Sequence, residues 1–231
     1  MKKIKSLKKI IVALDNNNLK KTLNLVKILN KEAYAFKIGY EFFFNFGLSG
    51  YKKIFSICPN IFLDLKLHDI PNTVKNGINA LQKIKPIFTT IHVSGGDAMM
   101  QASKIKRSYT KILGVSILTS LDKRQVKKFY NEKDVRLLVK RFAKEAKKNN
   151  LDGVVCSPRE ISHIRKEVGE KFLIITPGIR VGKNIKKDDQ KRTENPKKAI
   201  ELGADYLVIG RPITESKNPL KTLKEINKSL S

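Results

Sequence analysis

The chain has 231 residues, 41% hydrophobic and 30% charged, with 48 lysines and arginines against 21 acids for a net charge of +27. That length fits one large α/β domain with a substantial core, and no apolar run approaches the ~20 residues that cross a bilayer as a helix. Cys58 and Cys156 have neither metal-ligand spacing nor a disulfide framework, which fits a reducing compartment.

In chain order, the first predicted strand covers residues 10–15 and ends on Asp15. Its apolar part is shorter than a signal-peptide core of about 7–15 residues, so a cytoplasmic protein is expected. An amphipathic pattern over 19–29 predicts a helix, which Asp15 either caps or precedes as a site residue. The second strand, 35–39, carries Lys37 near its end. The third, 61–67, carries Asp64 and Lys66, with His68 and Asp69 just beyond. Side chains alternate along a strand, so Asp64 and Lys66 share one face while Leu63, Leu65 and Leu67 share the other. Burying unpaired charge costs several kcal/mol; charges kept at such a place are expected to serve a function.

A helix over 74–84 leads to a fourth strand, 87–92, ending on His92, and a fifth, 112–117, is followed by Thr119 and Ser120. A helix over 135–148 precedes the sixth strand, 153–156, and a helix over 157–168 precedes the seventh, 173–176. After the seventh comes Thr176-Pro177-Gly178-Ile179-Arg180, then a long polar stretch to Thr193 that includes Gln190 and reads as a lid over about 180–193. A helix over 196–202, an eighth strand over 206–209 running into Gly210-Arg211, and a helix over 220–230 complete the chain. Eight alternating βα units predict a single-domain (β/α)8 TIM barrel, whose working residues lie at the C-terminal strand ends. Loops seven and eight form the usual phosphate site of such barrels, which predicts a phosphorylated substrate.

The positive charge has a plain explanation. Lysines fall on nearly every predicted helix and loop, Trp is absent, no arginine cluster forms, and the chain is rich in Asn and Ile. A general lean towards Lys, Asn and Ile accounts for the excess, so neither nucleic acid nor membrane is expected as a partner. His92 and His163 lack neighbouring acids or histidines in the sequence; no metal site is expected.

The run Asp64-Leu65-Lys66-Leu67-His68-Asp69-Ile70-Pro71-Asn72-Thr73 resembles the active-site signature of the orotidine 5′-phosphate decarboxylases. Asp15, Lys37 in Phe-Lys-Ile-Gly, Leu118-Thr119-Ser120, the Pro177 to Arg180 turn, Asp189-Gln190-Lys191-Arg192 and Gly210-Arg211 follow in that family's order. The resemblance implies decarboxylation of orotidine 5′-monophosphate to UMP, without metal or organic cofactor, with Lys66 as proton donor to C6 and Asp64 crowding the substrate carboxylate. It implies that Asp15 and Lys37 hold ribose hydroxyls, that Thr119 or Ser120 meets the pyrimidine, and that Pro177, Arg180, Gln190, Gly210 and Arg211 form the phosphate and lid region. It further implies a homodimer in which Asp69, with Ile70 and Thr73, reaches the neighbouring site. Two other readings compete: a metal-dependent sugar-phosphate decarboxylase or aldolase of the same barrel group, and a basic nucleic-acid-binding protein. The first needs extra carboxylates for Mg2+, yet Lys37 stands where those relatives place an acid.

Overall fold

A computed structural model describes residues 8–105, 108–180 and 194–230. Eight strands close into a barrel in sequence order, each parallel to its neighbours. They are β1 Ile10–Ala13, β2 Ala35–Ile38, β3 Ile61–Leu67, β4 Phe88–His92, β5 Lys111–Val115, β6 Gly153–Val155, β7 Leu173–Thr176 and β8 Tyr206–Ile209. The helices between and after them are α1 Leu19–Leu29, α2 Tyr40–Phe55, α3 Pro71–Leu81, α4 Gly96–Ala102, α5 Lys123–Tyr130, α6 Val135–Lys148, α7 Ile161–Val168, α8 Pro196–Glu201, α9 Arg211–Thr214 and α10 Pro219–Ser229. The expected barrel is therefore present, with strand ends differing from the sequence reading by up to two residues.

Local chemistry sets the helix starts. Asn18, Asp122, Asp134, Asn195 and Asn218 each accept a backbone N–H through the side chain at the head of α1, α5, α6, α8 and α10. A cap of this kind contributes about 1 kcal/mol, so part of the Asn content is structural. Pro71 opens α3 in the first turn, where its missing N–H costs nothing. Among the described residues, α2 is the longest helix without a sequence-based expectation. Its start, Tyr-Glu-Phe-Phe-Phe-Asn-Phe, lacks the polar contrast of an amphipathic pattern, and Gly47, at φ +52°, breaks the helical backbone within it.

The strands are mainly apolar on both faces, as a parallel sheet covered by helices requires. Val12, Phe36, Leu63, Ile91, Ile112, Val154, Ile174 and Leu207 belong to the layer under the helices. Ile11, Ala35, Phe62, Phe88, Leu113, Ile175 and Val208 fill the barrel itself. Aromatic rings close its N-terminal end: Tyr34 stacks on Tyr206 with centroids 4.2 Å apart, and Phe62 meets Phe88 edge-on at 5.8 Å. Two residues further along β2 and β3, the inward positions change from Ala35 and Phe62 to Lys37 and Asp64. The apolar plug thus becomes the floor of a charged layer at the open end.

Candidate active site

At that open end lies a cavity of about 520 Å3, lined by Asp15, Lys37, Asp64 and Lys66 on one side and by the β7 and β8 loops on the other. The charges alternate along its wall. Lys37 Nζ lies 3.2 Å from Asp15 Oδ1 and 3.6 Å from Asp64 Oδ2, and Lys66 Nζ lies 2.9 Å from the same Asp64 oxygen. Asp15 is thereby assigned: Asn18 caps α1, which leaves the Asp15 carboxylate to Lys37. Gly39 leaves room for the pair, because a Cβ there would come within 2.9 Å of Asp15 Oδ1 and 3.1 Å of Lys37 Nζ.

Burial and pairing oppose one another here, and pairing prevails. Desolvation alone would raise the Asp64 pKa, but Lys37 and Lys66, with a hydrogen bond from Thr90, hold it below the ordinary carboxylate value. Desolvation would likewise lower that of Lys37, yet Asp64 and then Asp15 hold it above the ordinary lysine value. The two directions agree, and both describe one ion-paired array fixed in its charged form.

The local backbone explains how Lys66 reaches its place. Leu63 pairs with Thr89 and Leu67 with Ile91, so four steps of β3 run alongside two of β4. Lys66 sits in this irregularity with φ +44°, a conformation uncommon for any residue but glycine. Simple strand alternation correctly put Asp64 and Lys66 together, but the strand is not regular between them. Thr90, fully buried, joins the two: its hydroxyl donates to Asp64 Oδ1 at 2.8 Å and accepts from the Lys66 N–H at 2.9 Å. Sequence reasoning missed Thr90. The signal was available, since Phe88 and Thr90 are two apart and both face inward, the same rule that singled out Asp64.

Thr119, Pro177, Arg180, Gly210 and Arg211 all line the cavity. Between the two candidates after β5, Thr119 borders it and Ser120 does not. Gly178 takes φ +79° in the turn after β7, and beyond it Arg180 N–H donates to Glu194 O while Glu194 N–H donates to Gly178 O. Arg180, where the expected lid begins, therefore lies beside Glu194, the residue after it. Gln190 and the rest of 181–193 lie outside the described residues. Asp69, Ile70 and Thr73 are exposed and do not line the cavity of this chain. One sequence expectation needs correction: His92 does have a histidine neighbour, because adjacent strands bring His68 to it with ring centroids 5.2 Å apart.

Comparison with known proteins places the whole described barrel in one family. The family described as orotidine 5′-phosphate decarboxylase / HUMPS matches residues 8–226. A relative named orotidine 5′-phosphate decarboxylase from Wolbachia sp. subsp. Brugia malayi is 44% identical over 224 residues, covering 96% of this chain and 99% of its own. One of the same name from Pseudoalteromonas translucida is 42% identical over 231 residues, covering 96% and 97%. The crystal structure of orotidine 5′-phosphate decarboxylase from Lactobacillus acidophilus superposes with a TM-score of 0.81 at 36% identity, covering 97% of this chain and 99% of that one. With the family pattern matched from β1 to α10, the chain belongs to the orotidine 5′-phosphate decarboxylase / HUMPS family.

Proposed function

We propose that this chain removes CO2 from orotidine 5′-monophosphate to give UMP, the last step of pyrimidine synthesis, and that Lys66 delivers the proton. The observation that carries the reading is the alternating Asp15–Lys37–Asp64–Lys66 array, whose last ammonium borders the open cavity. Breaking the C6–carboxylate bond leaves its electron pair on C6, where the pyrimidine ring delocalises it poorly. A fixed ammonium beside that carbon stabilises the developing charge and then gives up its proton, leaving a neutral amine and UMP.

Asp64 acts on the other side of the balance, against the substrate carboxylate. Two unit charges 4 Å apart interact by about 4 kcal/mol at an effective dielectric of 20, roughly a thousandfold in rate if felt only before the transition state. Preorganised stabilisation by Lys66 carries more, because its neighbours hold it in place before substrate arrives. Asp15 and Lys37 take the ribose hydroxyls and Thr119 the pyrimidine edge. Arg180, Gly210 and Arg211, with Pro177 and Gln190, take the phosphate, whose binding energy is used to close the segment over 180–193. No metal or organic cofactor enters this scheme.

The chain works as a homodimer in this reading, one domain per subunit, with Asp69, Ile70 and Thr73 completing the neighbour's site. Their exposure supports it, and Phe44 on α2 is likewise an exposed large apolar side chain, at 76%. The proposed location is cytoplasmic; among the described residues no helix is long and apolar enough to cross a membrane. The test is an absorbance assay of orotidine 5′-monophosphate with purified protein beside Lys66→Ala, each with and without EDTA. Turnover that needs Lys66 and survives EDTA is expected. Loss with EDTA favours the metal-dependent sugar-phosphate reading, and full activity in Lys66→Ala refutes the proton assignment.

A further inference from the structure

We infer that Tyr40, at the start of α2, is a positioning residue for Lys66. The inference rests on Lys66 being the proton donor. Where β3 departs from regular pairing, the peptide between Leu65 and Lys66 is held by side chains from two directions. Its N–H donates to Thr90 Oγ1 at 2.9 Å, and its carbonyl, that of Leu65, accepts the Tyr40 hydroxyl at 3.0 Å. The phenol is thus the counterpart of Thr90 on the α2 side. It grips the one peptide that leads directly into the left-handed Lys66 backbone.

The ring adds a second contact. Lys66 Nζ lies 5.8 Å from the Tyr40 centroid, within the reach of a cation–π attraction. Phe44, one turn further along α2, stacks against Tyr40 with centroids 5.4 Å apart and planes 3° from parallel, which favours this orientation of the exposed ring. Burial and then the Asp64 charge push the Tyr40 pKa up, so the hydroxyl remains a donor. Tyr40 does not line the cavity; it acts on the reaction through Lys66.

The experiment compares wild type, Tyr40→Phe and Tyr40→Leu by steady-state kinetics and by calorimetric binding of two probes. UMP has a neutral C6, whereas 6-hydroxyuridine 5′-monophosphate carries an oxyanion there and draws directly on Lys66 placement. Tyr40→Phe removes one hydrogen bond and should lower kcat about fivefold to tenfold while leaving KM within about twofold. Tyr40→Leu also removes the ring and should lower kcat a further ~3-fold. Affinity for the oxyanion probe should fall in step with kcat and affinity for UMP should hold. Unchanged kcat in Tyr40→Phe, equal weakening of both probes, or activity restored by raising the protein concentration would each overturn the inference, the last by assigning Tyr40 to subunit association. If wild type fails to decarboxylate orotidine 5′-monophosphate, the functional reading falls by itself, and the two-probe comparison still decides the role of Tyr40. Should Tyr40→Leu not fold, Tyr40→Phe carries the test.

Discussion

Replacing Thr90 by Val keeps the shape of a fully buried side chain and deletes its hydroxyl, which bonds Asp64 Oδ1 at 2.8 Å and the Lys66 N–H at 2.9 Å. Asp64 keeps Lys37 and Lys66 but loses this bond in a nearly buried place, and the Lys66 N–H loses its acceptor. Leaving a buried polar group unpaired costs about 1–3 kcal/mol, more where it is charged. The two losses share one network and will not add fully; a total near 3 kcal/mol is expected, a large part of a typical stability of about 5–15 kcal/mol. In urea the midpoint should fall with the slope unchanged. Because the bond to the Lys66 backbone goes too, kcat should drop by about 10- to 100-fold, the scale of a 1 Å misplacement of a reacting group, while KM moves little. Thr90→Ser keeps the hydroxyl and loses one methyl, so it should cost only about 1 kcal/mol and retain most of kcat. If Thr90→Val unfolds within about 0.5 kcal/mol of wild type and turns over at the same rate, the bridge has no energetic weight and the account of Lys66 fails.

Arg211→Ala, at the cavity edge, should raise KM about 10- to 100-fold through a lost charge-assisted phosphate contact; an unchanged KM in the steady-state assay would remove Arg211 from the phosphate site. His92 has its pKa lowered by burial first and then by the charges of His68 and Lys66. The unfolded chain therefore takes up this proton more readily, and stability should decline as pH falls below the ordinary 6.5 towards the lowered native value. His92→Asn should flatten that decline in urea titrations carried downward from pH 6.5, and an unaltered slope would contradict the sign. The proposed shared site makes a complementation prediction: Asp69→Ala and Lys66→Ala, each inactive alone, should recover about one quarter of wild-type activity when exchanged into mixed dimers. Half of the dimers would then be hybrids, each with one intact site, and no recovery after confirmed subunit exchange would place Asp69 outside the neighbouring site.

The sequence made the charged layer legible for an energetic reason. Asp64 and Lys66 interrupt a run that would otherwise be wholly apolar, and such an interruption is too costly to be neutral. The barrel was legible because short β-branched apolar runs alternate with amphipathic helical patterns or polar loops along the chain. Thr90 was harder to see, since Thr is also a good strand former and Thr89 stands beside it; only the inward parity set by Phe88 distinguishes the two. Tyr40 lay in an aromatic stretch with no period to read, and its partners, Leu65 O and the Lys66 ammonium, come from another element. Nor could sequence separation reveal the approach of His68 to His92, which depends on the pairing of β3 with β4.

The irregularity in β3 is best understood as the condition for having a mobile-looking cation at a rigid position. A regular strand would give both the Leu65 carbonyl and the Lys66 N–H to sheet neighbours, and the lysine would simply follow the pleat. Here the peptide is released from that pattern and the left-handed Lys66 backbone costs on the order of 1–2 kcal/mol. Two hydroxyl bonds, from Tyr40 and to Thr90, offset that cost at about 1 kcal/mol each. Glycine at position 66 would relieve the strain and remove the amine, whereas alanine would remove the amine and keep most of the strain. Lys66→Gly should therefore be the more stable of the two inactive variants, even though glycine is ordinarily the worse residue in a strand. A urea midpoint for Lys66→Gly below that of Lys66→Ala would show that the left-handed backbone at this position carries no strain, and that the two hydroxyls hold a conformation the chain adopts without cost.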